Sequence, residues 1–261
     1  MDTGVVVRDQ IGPVAVLTLN RPEKLNAVNM DVLGMIRRHL DEIEADLSAR
    51  VVVIRGEGRA FCAGADLDMV STLLTDAGAF ADFMDQWHIT YNRIEAFSLP
   101  TIAAVHGVAL AGGFELLQVC DLAVAAQDAR IGDQHANFGL FPGGGSTQRL
   151  PRLVGVRKAL WMLLSGEWVD GQTAMDWGIV NEAVPGDQVF ERAMAMAEIL
   201  AKRSPMGNAA IKRSVRVGEG RNLSDALNLD RPIALQHMAS RDARVGLESF
   251  AARSEPIFTR E

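Results

Sequence analysis

The 261-residue sequence predicts an α/β fold, a mostly parallel sheet covered by helices and followed by a helical C-terminal region. Three observations carry that expectation. Short apolar runs alternate with longer stretches of helical periodicity through the first half. No Ser-, Gly- or Pro-rich linker interrupts them, so successive strands are joined by helices that cover the sheet. Beyond about residue 190, strand-like runs give way to consecutive helical stretches.

Taken in order, Val14–Leu19 (VAVLTL) lies between Pro13 and the turn at Arg21-Pro22-Glu23 and reads as a buried strand. Apolar residues at 32, 33, 36, 40, 43 and 47 mark one face of a helix over 31–47. Residues 51–54 (VVVI) form a second buried strand, ended by Gly56-Glu57-Gly58. A helix follows over 79–96, a strand over Thr101–Val105 after Pro100, a helix opened by Gly112-Gly113 and running to Val119, and a strand over Leu122–Ala126. Val156–Ser165, 188–203, 206–217, Leu223–Met238 and 242–253 suit helices, punctuated by Pro205, Gly218-Glu219-Gly220 and Arg241. The expected division is an α/β core over 1–190 and a helical region over 191–261.

Composition removes several classes of function. Thirty-three acids against 26 bases give a net charge of −7, which argues against broad nucleic-acid or anionic-membrane binding but leaves room for one anionic small molecule. Two cysteines, Cys62 and Cys120, exclude a disulfide scaffold and fit a reducing compartment. Spacings typical of metal ligands are absent, so no metal is expected. The first residues lack a basic segment followed by an apolar one, and the longest uncharged apolar stretch, residues 107–114, falls short of the ~20 residues that cross a bilayer. The expected setting is cytoplasmic.

Four segments carry chemistry. In Phe61-Cys62-Ala63-Gly64-Ala65-Asp66-Leu67, small residues leave the backbone bare and Asp66 is placed to cap a helix starting at Leu67. Unpaired N–H groups at such a loop–helix junction can bind an anion or a developing oxyanion, although the same pattern suits a tight turn packed under a neighbour. Residues 105–120 (VHGVALAGGFELLQVC) hold one charge, Glu115, amid Leu110, Phe114, Leu116, Leu117 and Val119. Burial there would raise its pKa toward neutrality and suit it to proton transfer; the alternative is an exposed acid in a first helical turn. One turn past Gly112, Glu115 is expected beside the N–H groups of the Gly pair. The segment around Asp133 and His135 holds a group that titrates near neutrality, or a satisfied polar turn. Residues 142–150 (PGGGSTQRL) turn into a helix without the Gly-Lys-Ser/Thr of a P-loop. Phe83 and Trp87 are candidates to line an acyl pocket or to pack in the core.

In order and spacing, several motifs resemble the crotonase family of enoyl-CoA hydratases and isomerases: Asn20 to Ala27 (NRPEKLNA), Phe61 to Leu67, Pro100 to Gly107 (PTIAAVHG), Ala111 to Leu116 (AGGFEL), Cys120-Asp121 and Gly139 to Leu150. The resemblance implies a spiral of ββα turns with C-terminal helices that assemble a homotrimer or hexamer. It implies an acyl-CoA substrate, with coenzyme A part of that substrate and no separate cofactor. By position, the N–H groups of Ala65 and Gly112 would form an oxyanion hole. Ala63, Ala65, Asp66 and Leu67 would receive CoA, and Lys24 a phosphate. Glu115 matches the first of the two glutamates that hydratases of this family use, and His135 falls where the second would stand. The expected function is hydration of an enoyl-CoA through a thioester enolate. With the second glutamate lost, the alternatives are another enolate reaction (isomerisation, thioester hydrolysis, C–C cleavage) or a non-catalytic acyl-CoA-binding protein.

Overall fold

The computed structural model describes residues 4–260. Strands β1 (Val6–Ile11) and β2 (Val14–Leu19) form an antiparallel hairpin across Gly12, whose φ of 56° suits a residue without a side chain. Every residue of β2 is buried, which explains an apolar run in place of alternation. Helix α1 (Met30–Ala45) starts at Asn29, whose side chain accepts from Val32 N, and buries Val32, Leu33, Ile36, His39, Leu40 and Ile43 along one stripe. Strand β3 (Val51–Gly56) follows. Then come α2 (Leu67–Leu73), α3 (Ala77–Glu95), β4 (Thr101–Val105), β5 (Val108–Leu110), α4 (Gly112–Val119), β6 (Leu122–Ala126) and β7 (Arg130–Gly132). The second half contains α5 (Ser146–Val154), α6 (Val156–Ser165), β8 (Trp168–Val169), α7 (Gly171–Trp177), β9 (Glu182–Val184), α8 (Val189–Ala201), α9 (Pro205–Gly218), α10 (Leu223–Met238) and α11 (Arg241–Ala252).

The large sheet has the order β1-β2-β3-β4-β6-β9, and every pairing after the first is parallel. A second sheet, β5-β7-β8, pairs β5 with β7 in parallel and β7 with β8 antiparallel. Two successive turns of chain thus each give one strand to the large sheet (β4, β6), one to the small sheet (β5, β7) and then a helix (α4, α5). Stacking of turn on turn produces the expected spiral of ββα units. Helix α8 packs against β2, β3, β4 and β6, burying Val189, Ala193 and Ala197 at a spacing of four. Helices α9 to α11 pack mainly on one another.

The structure adds elements that the sequence reading left out: β1, β5, β7, β8, β9 and α7. Strands of two or three residues are too short to show a period. In β1 only Val6 is buried, so its apolar signal is broken. The β1–β2 and β7–β8 pairings are exceptions to parallel order.

Candidate active site

Loop, strand and helix ends converge on one cavity of about 720 Å³. One wall begins at residues 62–66, which run beside two neighbouring segments. Cys62 N donates to Val108 O, and Leu110 N to Cys62 O, as a parallel bridge with β5. Val28 N donates to Gly64 O, and Asp66 N to Val28 O. That second bridge uses the groups on either side of Ala65 and leaves the Ala65 N–H on the opposite side, with no acceptor among the described residues. Gly64, at φ 112°, permits the approach: a Cβ there would meet Leu110 O at 3.1 Å and Gly112 N at 3.2 Å.

Across from Ala65, Ala111 turns β5 into α4 at φ 49° and ψ −119°, outside the regions L-residues favour. Its own N–H is anchored to Gly132 O at 3.0 Å. The turn leaves the N–H of Gly112, the first residue of α4, without an acceptor among the described residues. A Cβ on Gly112 would lie 3.4 Å from Ala65 N, so the two free donors are neighbours. Converging donors at a helix N-terminus are suited to an oxygen that gains negative charge.

Glu115 sits one turn further along α4 and is 2% exposed. Its Oε1 accepts from Ser146 N at 3.2 Å, and the Gly144 backbone also hydrogen-bonds the carboxylate. Burial pushes its pKa up to about 7. The charge of His135 and the two backbone donors hold it from rising further, while Asp133 opposes them. Glu115 lines the same cavity as Gly112, one helical turn away, but its carboxylate does not bond to the Gly112-Gly113 donors. Its hydrogen bonds go to the start of α5, because residues 143–145 lack side chains and let that helix N-terminus reach the carboxylate.

His135 opens a short 3-10 turn, His135–Phe138, entered through Gln134 at φ 62° and left through Gly139 at φ 65°. Gln134 Nε2 and Asn137 Nδ2 both donate to Gly166 O at 3.0 Å, tying the turn to the end of α6. His135 Nδ1 meets Asp133 Oδ1 at 2.7 Å. Asp133 is fully buried. Burial alone would lower the His135 pKa, but the Asp133 carboxylate, with Glu115 behind it, raises it above the ordinary value. A carboxylate accepts at Nδ1, so Nδ1 carries a proton and Nε2 is the titrating position.

The residues given a catalytic, oxyanion or CoA role by the resemblance line this one cavity: Lys24, Ala63, Ala65, Asp66, Leu67, Gly112, Glu115 and His135; of the two aromatic candidates Trp87 lines it too, whereas Phe83 is buried in the core and does not. Lys24 and Asp66 are engaged elsewhere. Lys24 Nζ pairs with Asp68 at 2.6 Å, and Asp66 accepts from Arg21 Nη2 at 2.7 Å while capping α2 through Asp68 N. Apart from Asp68 and Gln134, the rest of the lining is apolar or glycine, with Val70, Leu74, Phe80, Met84, Phe138 and Phe141 prominent. Among the described residues no group of three or more His, Cys, Asp or Glu could hold a metal ion.

A family model described as "Enoyl-CoA hydratase/isomerase" matches residues 10–261. The chain belongs to the enoyl-CoA hydratase/isomerase family. It is 37% identical over 251 residues to a Bacillus subtilis (strain 168) protein named "Probable enoyl-CoA hydratase", covering 95% of this chain and 96% of that one. It is 36% identical to the Escherichia coli (strain K12) 2,3-dehydroadipyl-CoA hydratase, covering 94% of each. The crystal structure of an enoyl-CoA hydratase from Polaromonas sp. JS666 superposes with a TM-score of 0.93 at 29% identity, covering 97% of this chain and 99% of that one. The fold is thus that of the crotonase-type enoyl-CoA hydratases.

Within this family member, sequence reading undervalued three positions. Gly144 and Ser146 stood in what looked like a weak phosphate turn, yet their backbone grips Glu115. Asp133 is the partner of the His135 ring, and the i, i+2 spacing of an acid and a histidine is the signal for it in the sequence. Trp87 is both buried in the core and part of the cavity wall, so the two alternatives weighed for it are not exclusive.

Proposed function

We infer that this protein adds water across the double bond of an enoyl-CoA thioester, with Glu115 as base and His135 as acid. The observation that carries this reading is a buried carboxyl of near-neutral pKa in the same cavity as two free N–H donors and a carboxylate-backed imidazole. The thioester oxygen is received by Ala65 N and Gly112 N. Glu115 takes a proton from water as the water oxygen bonds to the β-carbon, and the electron pair of the double bond moves onto the thioester as an enolate. Its negative charge rests between the two donors, each worth roughly 3–4 kcal/mol in comparable sites. The α-carbon then takes a proton from His135 Nε2, with Asp133 holding the ring and stabilising its cation. Backbone around Ala63, Ala65 and Asp66, together with Leu67, receives the CoA portion, and Lys24 a phosphate once it leaves Asp68. Coenzyme A enters as part of the substrate. The apolar lining favours an uncharged acyl chain: Lys24 and His135 are the lining cations, and both already face carboxylates. The assembly proposed is a homotrimer or a dimer of trimers.

The test is loss of the conjugated thioester absorbance on a panel of crotonyl-CoA, longer enoyl-CoAs and aromatic enoyl-CoAs. Glu115→Gln should cost roughly 10²–10⁴-fold in turnover, with affinity for a saturated acyl-CoA retained. His135→Ala should cost at least about tenfold, and His135→Glu should raise crotonyl-CoA hydration. Absence of hydration across the panel, or full activity in Glu115→Gln, would refute the assignment.

A further inference from the structure

Phe83, Trp87 and Tyr91 recur every four residues along α3 and form one buried stripe against α4. Tyr91 Oη donates to Gly112 O at 2.9 Å. The Trp87 and Tyr91 ring centroids are 4.9 Å apart, and Phe83 stands edge-on to Trp87 at 5.5 Å. This packing pins the indole across the cavity floor. Its benzo edge lies against the oxyanion side, where a Cβ on Gly112 would meet Trp87 Cη2 and Cζ2 at 2.4 Å. Its nitrogen lies against the base. A Cβ on Gly144 would be 2.4 Å from Trp87 Nε1 and 2.1 Å from Glu115 Oε2, so both atoms flank one point that the glycine leaves open. Trp87 is 3% exposed, and Nε1 has no hydrogen-bond partner among the described residues. A buried indole donor calls for an acceptor, and the carboxylate oxygen beside it supplies one after a small rotation.

We propose that Trp87 is a positioning residue whose indole N–H donates to Glu115 Oε2. With the backbone donors of Gly144 and Ser146, it fixes the carboxylate's aim at the reacting carbons. The proposal rests on Glu115 being the base. Charged and titratable groups around the pair are His135 and Asp133 from the loop after β7 and Tyr91 from α3 itself. Arg149 of α5 completes them, its Nη1 donating to Gly144 O at 3.0 Å.

The experiment is a pH titration of the four indole ¹H–¹⁵N NMR signals of the full-length protein, paired with kinetics. The Trp87 signal is assigned by its loss in Trp87→Phe. If that variant does not fold, Trp161→Phe, Trp168→Phe and Trp177→Phe assign it by elimination. The expected result is a Trp87 signal that moves with Glu115 ionisation near neutrality, keeps moving in His135→Gln, and stays fixed in Glu115→Gln. Trp87→Phe should lower kcat about tenfold, a fraction of what a general base supplies, with KM within about twofold. The ascending limb of its pH–rate profile should move to higher pH, because the carboxylate has lost a donor. An indole signal indifferent to Glu115, or a slower Trp87→Phe with an unmoved limb, would overturn the proposal. The NMR result stands apart from the reaction assignment. Wild-type protein that hydrates nothing would refute hydration and leave the indole–carboxylate contact to its own test.

Discussion

Glu115 is destabilising where it is useful. A carboxyl with an ordinary value of 4.5, pushed up to about 7 by burial, is held as the neutral acid more firmly in the folded chain than in the unfolded one. The stability tied to that proton is fully present below pH 4.5 and lost as pH rises through about 7. The loss at alkaline pH is on the order of 3 kcal/mol. Glutamine carries no such titration. The melting temperature of Glu115→Gln relative to wild type should therefore climb between pH 5 and pH 8, and a difference that stays flat across that range would contradict a buried, titrating carboxyl. Glu115 was legible in the sequence because it is the one charge in a long apolar segment. Asp133, Trp87 and Gly144 were not legible in the same way. Their importance comes from which atoms the fold brings within a few ångströms, and nothing local to each residue type records that.

At the scale of elements, the site depends on how closely α4 approaches the strand segment at Cys62. A Cβ on Gly113 would meet Cys62 O at 2.0 Å and Cys62 C at 2.6 Å, both backbone atoms of a bridged strand that cannot swing aside. Gly113→Ala should displace the α4 N-terminus, with a cost of about 1–3 kcal/mol. It should also swing the Gly112 N–H out of line, losing roughly 10²-fold in turnover. Gly34 is the control: it lies in α1 at ordinary φ with nothing within 4 Å of a Cβ, so Gly34→Ala should stabilise by about 0.5–1 kcal/mol. Thermal melts and kinetics on the two variants check both; equal behaviour would remove the close approach as an explanation. The helices and long strands are visible in the sequence because each is long enough to show an apolar run or a helical spacing, whether or not one chain buries it: Thr101–Val105, Gly112–Val119, Leu122–Ala126, Val156–Ser165 and Leu223–Met238 have the expected bounds. The second strand of each spiral turn was not visible, since β5 and β7 have three residues each and are specified by their neighbours rather than by their own pattern.

For the whole molecule, the C-terminal helices are the part least covered within one chain. In the sixteen residues of α10 only Ile233 is buried, while Leu223, Leu227, Leu235 and Met238 are exposed; Leu247 and Phe250 continue the apolar surface on α11. A helix with so little packing is marginal in water, because helical stability in proteins comes mostly from a buried face. In the assembly proposed above, this exposed apolar surface would be the part that a partner covers. The resemblance read from the sequence implies three or six copies, and these helices are the surface on which such an assembly would close. Light scattering at micromolar concentration should give three or six times the 28.2 kDa chain mass. Leu235→Asp should shift the population toward smaller species and lower the melting temperature, since a charge in a closed apolar interface is uncompensated. A monodisperse wild-type monomer would show that these helices need no partner. Dissociation of Leu235→Asp with turnover per chain unchanged would show that the cavity, built from residues 24 to 144 of a single chain, is complete without its neighbours.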